Sequence, residues 1–134
     1  MMTMEKLLIM LVDDDSVQNM LSEAIIKMVD SEIEVIAFEA VRDGLEYLKG
    51  NNRVPNIIFV DINMPYLNGW DFVSEYVKLD PAKFERCAVN MLTSSDHEKD
   101  MERAQQYEIM SYTSKPLTKE DFGEIYNFYQ EQYV

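Results

Sequence analysis

Cysteine and histidine are nearly absent, with one of each, Cys87 and His97, in 134 residues. A lone thiol excludes an internal disulfide and fits a reducing compartment. Glycine and proline number only four each against 47% hydrophobic residues, a balance that points to a packed globule rather than a disordered chain. No apolar run approaches the length of a membrane span. Leu7 to Val12, the apolar residues nearest the start, are too few for a signal peptide and lead straight into acids. A cytoplasmic protein without membrane association is therefore expected. Positive charge is scarce as well: 12 basic residues face 25 acidic ones, for a formal net charge of −13. That balance argues against nucleic acid as a partner, because phosphate contacts need a basic face. The length suits one domain, residues 1–134, with a real core and no room for a second sizeable module.

What is present is organised around Asn56-Ile57-Ile58-Phe59-Val60-Asp61-Ile62-Asn63-Met64-Pro65. The apolar, largely β-branched run reads as a strand buried on both faces, as in a parallel sheet. It ends on a carboxylate, Asp61, and Pro65, Asn68 and Gly69 mark a loop behind it. A turn-forming Asp explains that residue alone equally well. In α/β proteins, however, the place where a parallel strand leaves the core is where ligands bind.

Leu7 to Val12 is a second such run, and it too ends on acid, Asp13-Asp14-Asp15. A helix follows with Val17, Met20, Leu21, Ala24, Ile25 and Met28 on one stripe, taken as its core face, and Asp15 or Ser16 as its cap. Residues 33–38 read as a strand, and Val41, Leu45 and Leu48 as a short helix closed by Gly50-Asn51-Asn52. After Gly69 a helix carries Phe72, Val73, Tyr76 and Val77 and stops at Asp80-Pro81. Residues 87–92 form a fourth strand leading into Thr93. Its buried Asn90 needs a side-chain partner that the sequence does not name. Residues 96–108 read as a mostly polar helix anchored only by Met101 and Ala104. Residues 109–114 form a fifth strand that ends in Lys115-Pro116. Thr118 to Asp121 resembles a capping box, and Phe122, Ile125, Tyr126, Tyr129 and Tyr133 give the last helix its stripe. Strand and helix alternate five times, which predicts a (βα)5 doubly wound, five-stranded parallel sheet.

In that fold one sheet edge collects Asp13 and Asp14, Asp61, Thr93 and Lys115, each at or just past the end of an apolar run. Crowded carboxylates repel unless a cation intervenes. Hard oxygen ligands with open positions suit Mg²⁺, which also takes phosphate oxygens as ligands. Lys115 adds a compact positive charge for a phosphoryl oxygen, and Thr93 a hydroxyl donor. The set reads as a phosphoryl-transfer site with Asp61 as nucleophile.

At this point the sequence resembles the receiver domain of two-component response regulators, across nearly the whole chain. The residues that carry the resemblance are Leu-Val-Asp13-Asp14-Asp15, Val-Asp61-Ile-Asn63-Met-Pro65 with Asn68-Gly69, Leu-Thr93-Ser-Ser, and Tyr112-Thr-Ser-Lys115-Pro116. The resemblance implies a flavodoxin-like strand order 2-1-3-4-5 and a stand-alone receiver with no output domain. It implies that Asp13, Asp14, Asp61 and the backbone carbonyl of Asn63 ligate Mg²⁺. It also implies that Asp61 is the phospho-acceptor, that Lys115 and Thr93 contact the phosphoryl group, and that Thr93 and Tyr112 form a switch. A sensor histidine kinase or histidine phosphotransfer protein is the implied donor, and a downstream protein is expected on the face of the fourth helix, fifth strand and last helix. A cis Lys115-Pro116 bond, and an influence of Asn63 and Ser95 on phosphate lifetime, belong to the same resemblance.

Plainer roles fit several other residues. His97 reads as solvated, Cys87 as a small buried hydrophobe, Trp70 as helix packing, and Met10, Met20, Met28 and Met91 as core. A haloacid-dehalogenase-type phosphatase would want a second acid two residues after the nucleophile, where this chain has Asn63. A flavin-binding module would want a hydroxyl-rich loop where it has three acids. The expected function is a phosphorylation-dependent signalling switch, not a metabolic enzyme.

Overall fold

Alternate residues of the buried strands face opposite ways, and that alternation decides the layering. The computed structural model describes residues 6–93 and 109–133. Its strands are β1 (Leu8–Val12), β2 (Glu34–Phe38), β3 (Ile57–Asp61), β4 (Ala88–Thr93) and β5 (Ser111–Ser114). They form one sheet in the order β2-β1-β3-β4-β5, with every pairing parallel. The described helices are α1 (Ser16–Val29), α2 (Val41–Gly50), α3 (Gly69–Tyr76) and α4 (Lys119–Tyr133). The helix expected over 96–108, with Ser95, His97, Met101 and Ala104, lies outside the described residues.

Met10, Val12, Ile58, Val60, Val89 and Met91 face α2 and α3, where they meet Val41, Leu45, Leu48, Trp70, Phe72 and Val73. Ile9, Leu11, Ile57, Phe59, Ala88 and Leu92 face α1 and α4, against Ile26, Phe122, Ile125 and Tyr129. Each fully buried aliphatic or aromatic side chain contributes about 1.5–3 kcal/mol relative to exposure. Both cores therefore hold the middle strands rigidly. Because every pairing is parallel, the carboxyl ends of the strands emerge at one edge, as the alternation of strand and helix predicts.

The first helix departs from expectation. Its core-facing residues are Asn19, Ser22 and Ile26, whereas Val17, Met20, Leu21 and Met28 are 51–70% exposed. The helical period is right and the phase is wrong. Asp15 caps the helix by accepting from the amides of Val17 and Gln18, and the Asn19 amide donates to the Asp13 carbonyl at 2.9 Å. Those bonds fix the rotation of α1 about its axis, so most of the apolar stripe points outward, while Ile25 still packs against the α1–α4 core. Met20 and Met28 are thus not core residues, while Met10 and Met91 are fully buried.

Other local expectations hold. Trp70 is buried among α2 and α3 residues, and Tyr129 is buried with Tyr126 and Tyr133 packed beside it. Cys87 packs at the margin of the α2–α3 core, and burial pushes its thiol up to about 12. Thr118 accepts from the Asp121 amide at 3.0 Å, one half of the capping box. The Lys115-Pro116 bond is cis. β5 is shorter than expected, starting at Ser111 rather than at 109.

Candidate functional site

Four strands deliver the site. β1 ends one residue before Asp13, whose amide donates to the Phe38 carbonyl at 3.0 Å, a last rung that ties it to β2. Asp61 is the final residue of β3, paired with Leu92, and Thr93 is the next residue along β4. Lys115 follows β5, and its amide donates to the Thr93 carbonyl at 2.7 Å. Thus each functional side chain hangs from the last hydrogen-bonded rung of a strand, buried for β1, β3 and β4 and at the sheet edge for β5.

The side chains converge. Lys115 Nζ lies 2.7 Å from Asp13 Oδ2 and 3.0 Å from Asp61 Oδ2. The other oxygens are also held: Asp13 Oδ1 accepts from the Asp15 amide at 2.9 Å, and Asp61 Oδ1 from the Asn63 amide at 3.0 Å. Asp13 and Asp61 are buried, whereas Asp14 is exposed, and one carboxylate oxygen of each lies within 4.8 Å of the others. Three carboxylates against one ammonium leave two negative charges uncompensated. A divalent cation matches that deficit, and the hard, all-oxygen donor set with an open, solvated member matches Mg²⁺. The residues present therefore fit the ion.

Electrostatics reflect the same imbalance. Burial raises the Asp61 pKa above the ordinary carboxylate value; the Asn63 amide opposes it, Asp13 adds to it, and Lys115 opposes it. Asp61 is therefore held higher than a free carboxylate despite its lysine. Burial works against the charge on Lys115, but the hydrogen bonds to Asp13 and Asp61 overcome it and raise its pKa. The ammonium stays charged.

Asn63, two residues beyond Asp61, is exposed in the loop toward α3. Thr93 is fully buried at the end of β4. Tyr112 is half-buried and packs against the core beneath α2 and α3. The structure thus brings Asp13, Asp14, Asp61 and Lys115 into one cluster, with Thr93 one rung away and Tyr112 farther down the edge strand.

The structural roles of Asn68, Gly69 and Asn19 escaped sequence reasoning, although Asn68-Gly69 reads as a loop and a motif. Asn68 caps α3, accepting from the amides of Trp70 and Asp71, while Asp71 accepts from the Asn68 amide at 2.7 Å. The Asn68–Asp71 spacing is a capping-box signal that could have been read. Gly69 has no room for a side chain: a Cβ there would lie 2.7 Å from the Asp61 carbonyl oxygen and 3.0 Å from Ile62 Cα. This close approach seats the start of α3 directly on the strand end that carries Asp61. Asn19, which anchors α1 to Asp13, has no sequence signal at all. In the same loop Tyr66 is wholly exposed with φ of 66°.

The sequence pattern of the response regulator receiver domain matches residues 9–127. This chain belongs to the receiver domain family. A crystal structure of a two-component response regulator from Cytophaga hutchinsonii superposes on the receiver with a TM-score of 0.85 at 28% identity, covering 95% of this chain and 99% of that one. Protein PilG of Pseudomonas aeruginosa is 33% identical over 114 residues, 84% of the receiver and 79% of PilG. Sensor histidine kinase CheAY of Helicobacter pylori is 30% identical over 115 residues. The receiver spans only 14% of that kinase's length. Membership fits a signalling rather than a metabolic role. No described helix of the receiver is long and apolar enough to cross a membrane.

Proposed function

We propose that the receiver is a phosphorylation-dependent switch whose phospho-acceptor is Asp61. One observation carries this reading: a buried carboxylate at a strand end is fixed by the Asn63 amide on one oxygen and Lys115 on the other, within a three-acid cluster. An ordinary core strand has no use for such a group. In the reaction a carboxylate oxygen of Asp61 forms the bond to phosphorus as the phosphorus–nitrogen bond of a donor phosphohistidine breaks, and the imidazole leaves with the electron pair. Asp13, Asp14, Asp61 and the Asn63 carbonyl would hold Mg²⁺, which supplies charge neutralisation for the phosphoryl oxygens. Lys115 holds its proton and orients the incoming group, and the Thr93 hydroxyl donates to a phosphoryl oxygen.

A sensor histidine kinase or histidine phosphotransfer protein is the donor under this reading, and the likeness to part of a sensor histidine kinase supports it. Thr93 and Tyr112 report the phosphoryl group to a downstream protein through the face that includes β5 and α4. The cytoplasm is the compartment in which such a donor would meet it.

Incubation with acetyl phosphate and Mg²⁺ should add one base- and hydroxylamine-labile phosphoryl group at Asp61, read by mass spectrometry. Asp61→Asn should abolish it. Full-yield labelling of that variant would defeat the assignment.

A further inference from the structure

β1, β3 and β4 are buried along their whole length, so apolar alternation fixes their register. β5 is anchored more weakly, by the half-buried Tyr112 at the margin of the α2–α3 core. It reads Ser-Tyr-Thr-Ser, is half-exposed at best, and lies at the sheet edge. Polar edge strands are the ones prone to slip. Yet β5 carries Lys115, whose contacts of 2.7 and 3.0 Å leave little tolerance. Half-buried side chains at the core margin leave room for a second constraint on its place.

Asn90 supplies that second constraint. It is fully buried in the middle of β4, between Ala88 and Leu92 of the α1–α4 core. Its register partner across the ladder is Ser111. Ser111 Oγ donates to Asn90 Oδ1 at 2.6 Å. Among the described residues the Asn90 amide nitrogen makes long contacts, 3.4 Å each, to the Ile58 and Ala88 carbonyls. Those carbonyls also fix the amide orientation, since a flipped side chain would set oxygen against oxygen. A hydroxyl has one proton, and that of Ser111 goes to Asn90. Thr113 Oγ1, 3.5 Å from Ser111 Oγ, is therefore the donor in that pair. The chain of donors runs from Thr113 to Ser111 to Asn90.

Slips of β5 break this chain. A shift of one residue sets Met110 or Tyr112 opposite Asn90 and turns every side chain to the other face. A shift of two in one direction sets Ile109 opposite Asn90 and leaves a buried carbonyl oxygen with no donor. The opposite shift keeps a hydroxyl, Thr113, but brings Pro116, which has no amide proton, opposite Thr93. Either two-residue shift moves Lys115 by roughly 6–7 Å, out of reach of Asp61. A leucine at position 90 would pack without any of this, so the buried amide is a costly choice that apolar packing does not explain.

We propose that Asn90 is a positioning residue: by holding Ser111 it fixes the register of β5, and with it the place of Lys115 beside Asp61 during phosphoryl transfer. The proposal rests on the phosphoryl-transfer reading of the site. Buried polar groups that specify register at the expense of stability are the best-attested use of such groups.

Ser111→Ala should slow acetyl phosphate labelling of Asp61 roughly fivefold to tenfold, because a small misplacement of an orienting group is amplified in the rate. In a Lys115→Ala background the same substitution should cost less than about twofold, since the two residues act through one contact. Amide exchange at Tyr112 and Lys115 should speed up by about tenfold, and Ser111→Thr, which keeps the hydroxyl, should restore both readings. The double variant Asn90→Leu/Ser111→Ala separates positioning from stability. Replacing both partners with apolar groups should preserve or raise Tm, yet labelling should stay slow. Equal slowing in the parent and Lys115→Ala backgrounds, or parent-like rates in the double variant, would overturn the proposal. Unchanged exchange at Tyr112 and Lys115 in Ser111→Ala would defeat the register assignment whatever the labelling shows. A parent protein that takes no label would instead defeat the phosphoryl-transfer reading, and the role in transfer with it.

Discussion

The two ends of the sheet are built from opposite kinds of polar chemistry. At the carboxyl edge, Asp13, Asp14 and Asp61 share one lysine, and charge is left over. At the amino edge, Asn56 Oδ1 accepts from the Leu8 amide at 2.9 Å, and its nitrogen donates to the Tyr129 hydroxyl at 3.0 Å. That hydroxyl donates in turn to the Arg86 carbonyl at 2.7 Å. Neutral groups there satisfy one another and tie α4 to β1, β3 and the start of β4. A second bond, Tyr126 to Asp30 at 2.8 Å, ties α4 to the end of α1. One edge is a lock and the other a site whose excess negative charge an incoming divalent ion can offset. The same scaffold holds both because the buried strands between them do not bend.

The comparison can be broken from either end. Lys115→Ala should have the largest effect, slowing labelling of Asp61 by about 10²-fold, the scale of losing one preorganised electrostatic contact. Without Mg²⁺ it should also lower Tm, because Asp13 and Asp61 lose the counter-charge they share, and Mg²⁺ should restore part of the loss. Timed mass spectrometry and thermal melts check both. At the opposite edge Tyr129→Phe should cost about 1–3 kcal/mol by leaving the Arg86 carbonyl and the Asn56 amide without their partner. Urea denaturation measures the loss. Labelling should keep its parent rate, and a slowed rate would mean that the two edges are not separate.

Asp14→Asn should be milder. It removes the one exposed member of the cluster and should weaken Mg²⁺ binding roughly tenfold without measurable loss of stability. Trp70, buried in α3 just behind the Asp61 loop, offers the fluorescence signal for the titration. The smallest effect concerns pH. The folded Asp61 pKa lies above the ordinary 3.8 because burial disfavours its charge. The native state thus binds the proton more tightly than the unfolded chain, and this group's contribution to stability falls as pH rises through that window. Asp61→Asn, freed of that cost, should melt above the parent at neutral pH in chelator. Its advantage should shrink as pH is lowered toward 3.8. A constant difference across that range would refute the burial explanation.

The carboxyl edge was legible in the sequence because each of its residues punctuates an apolar run, and strand alternation with parallel pairing then delivers them to one place. The amino edge was not. Asn56 reads as the front of a strand and Tyr129 as one more residue of a helical stripe, and nothing in a linear pattern pairs positions 73 apart. Asn90 posed its question without its answer, since Ser111 becomes its neighbour only once the β4–β5 register is known. The phase of α1 misled for a different reason. An apolar stripe at helical spacing normally marks the buried face, but here polar Asn19 and Ser22 turn inward and most of the stripe faces out.

That outward stripe has a consequence for oxidative damage. Met20 and Met28 stand 70% and 64% exposed, whereas Met10 and Met91 are sealed in the core. Thioethers oxidise where reagents reach them, and the sulfoxide is polar. Among the described methionines oxidation therefore begins on the surface of α1, where added polarity opens no cavity, before it reaches Met10 and Met91 in the strands.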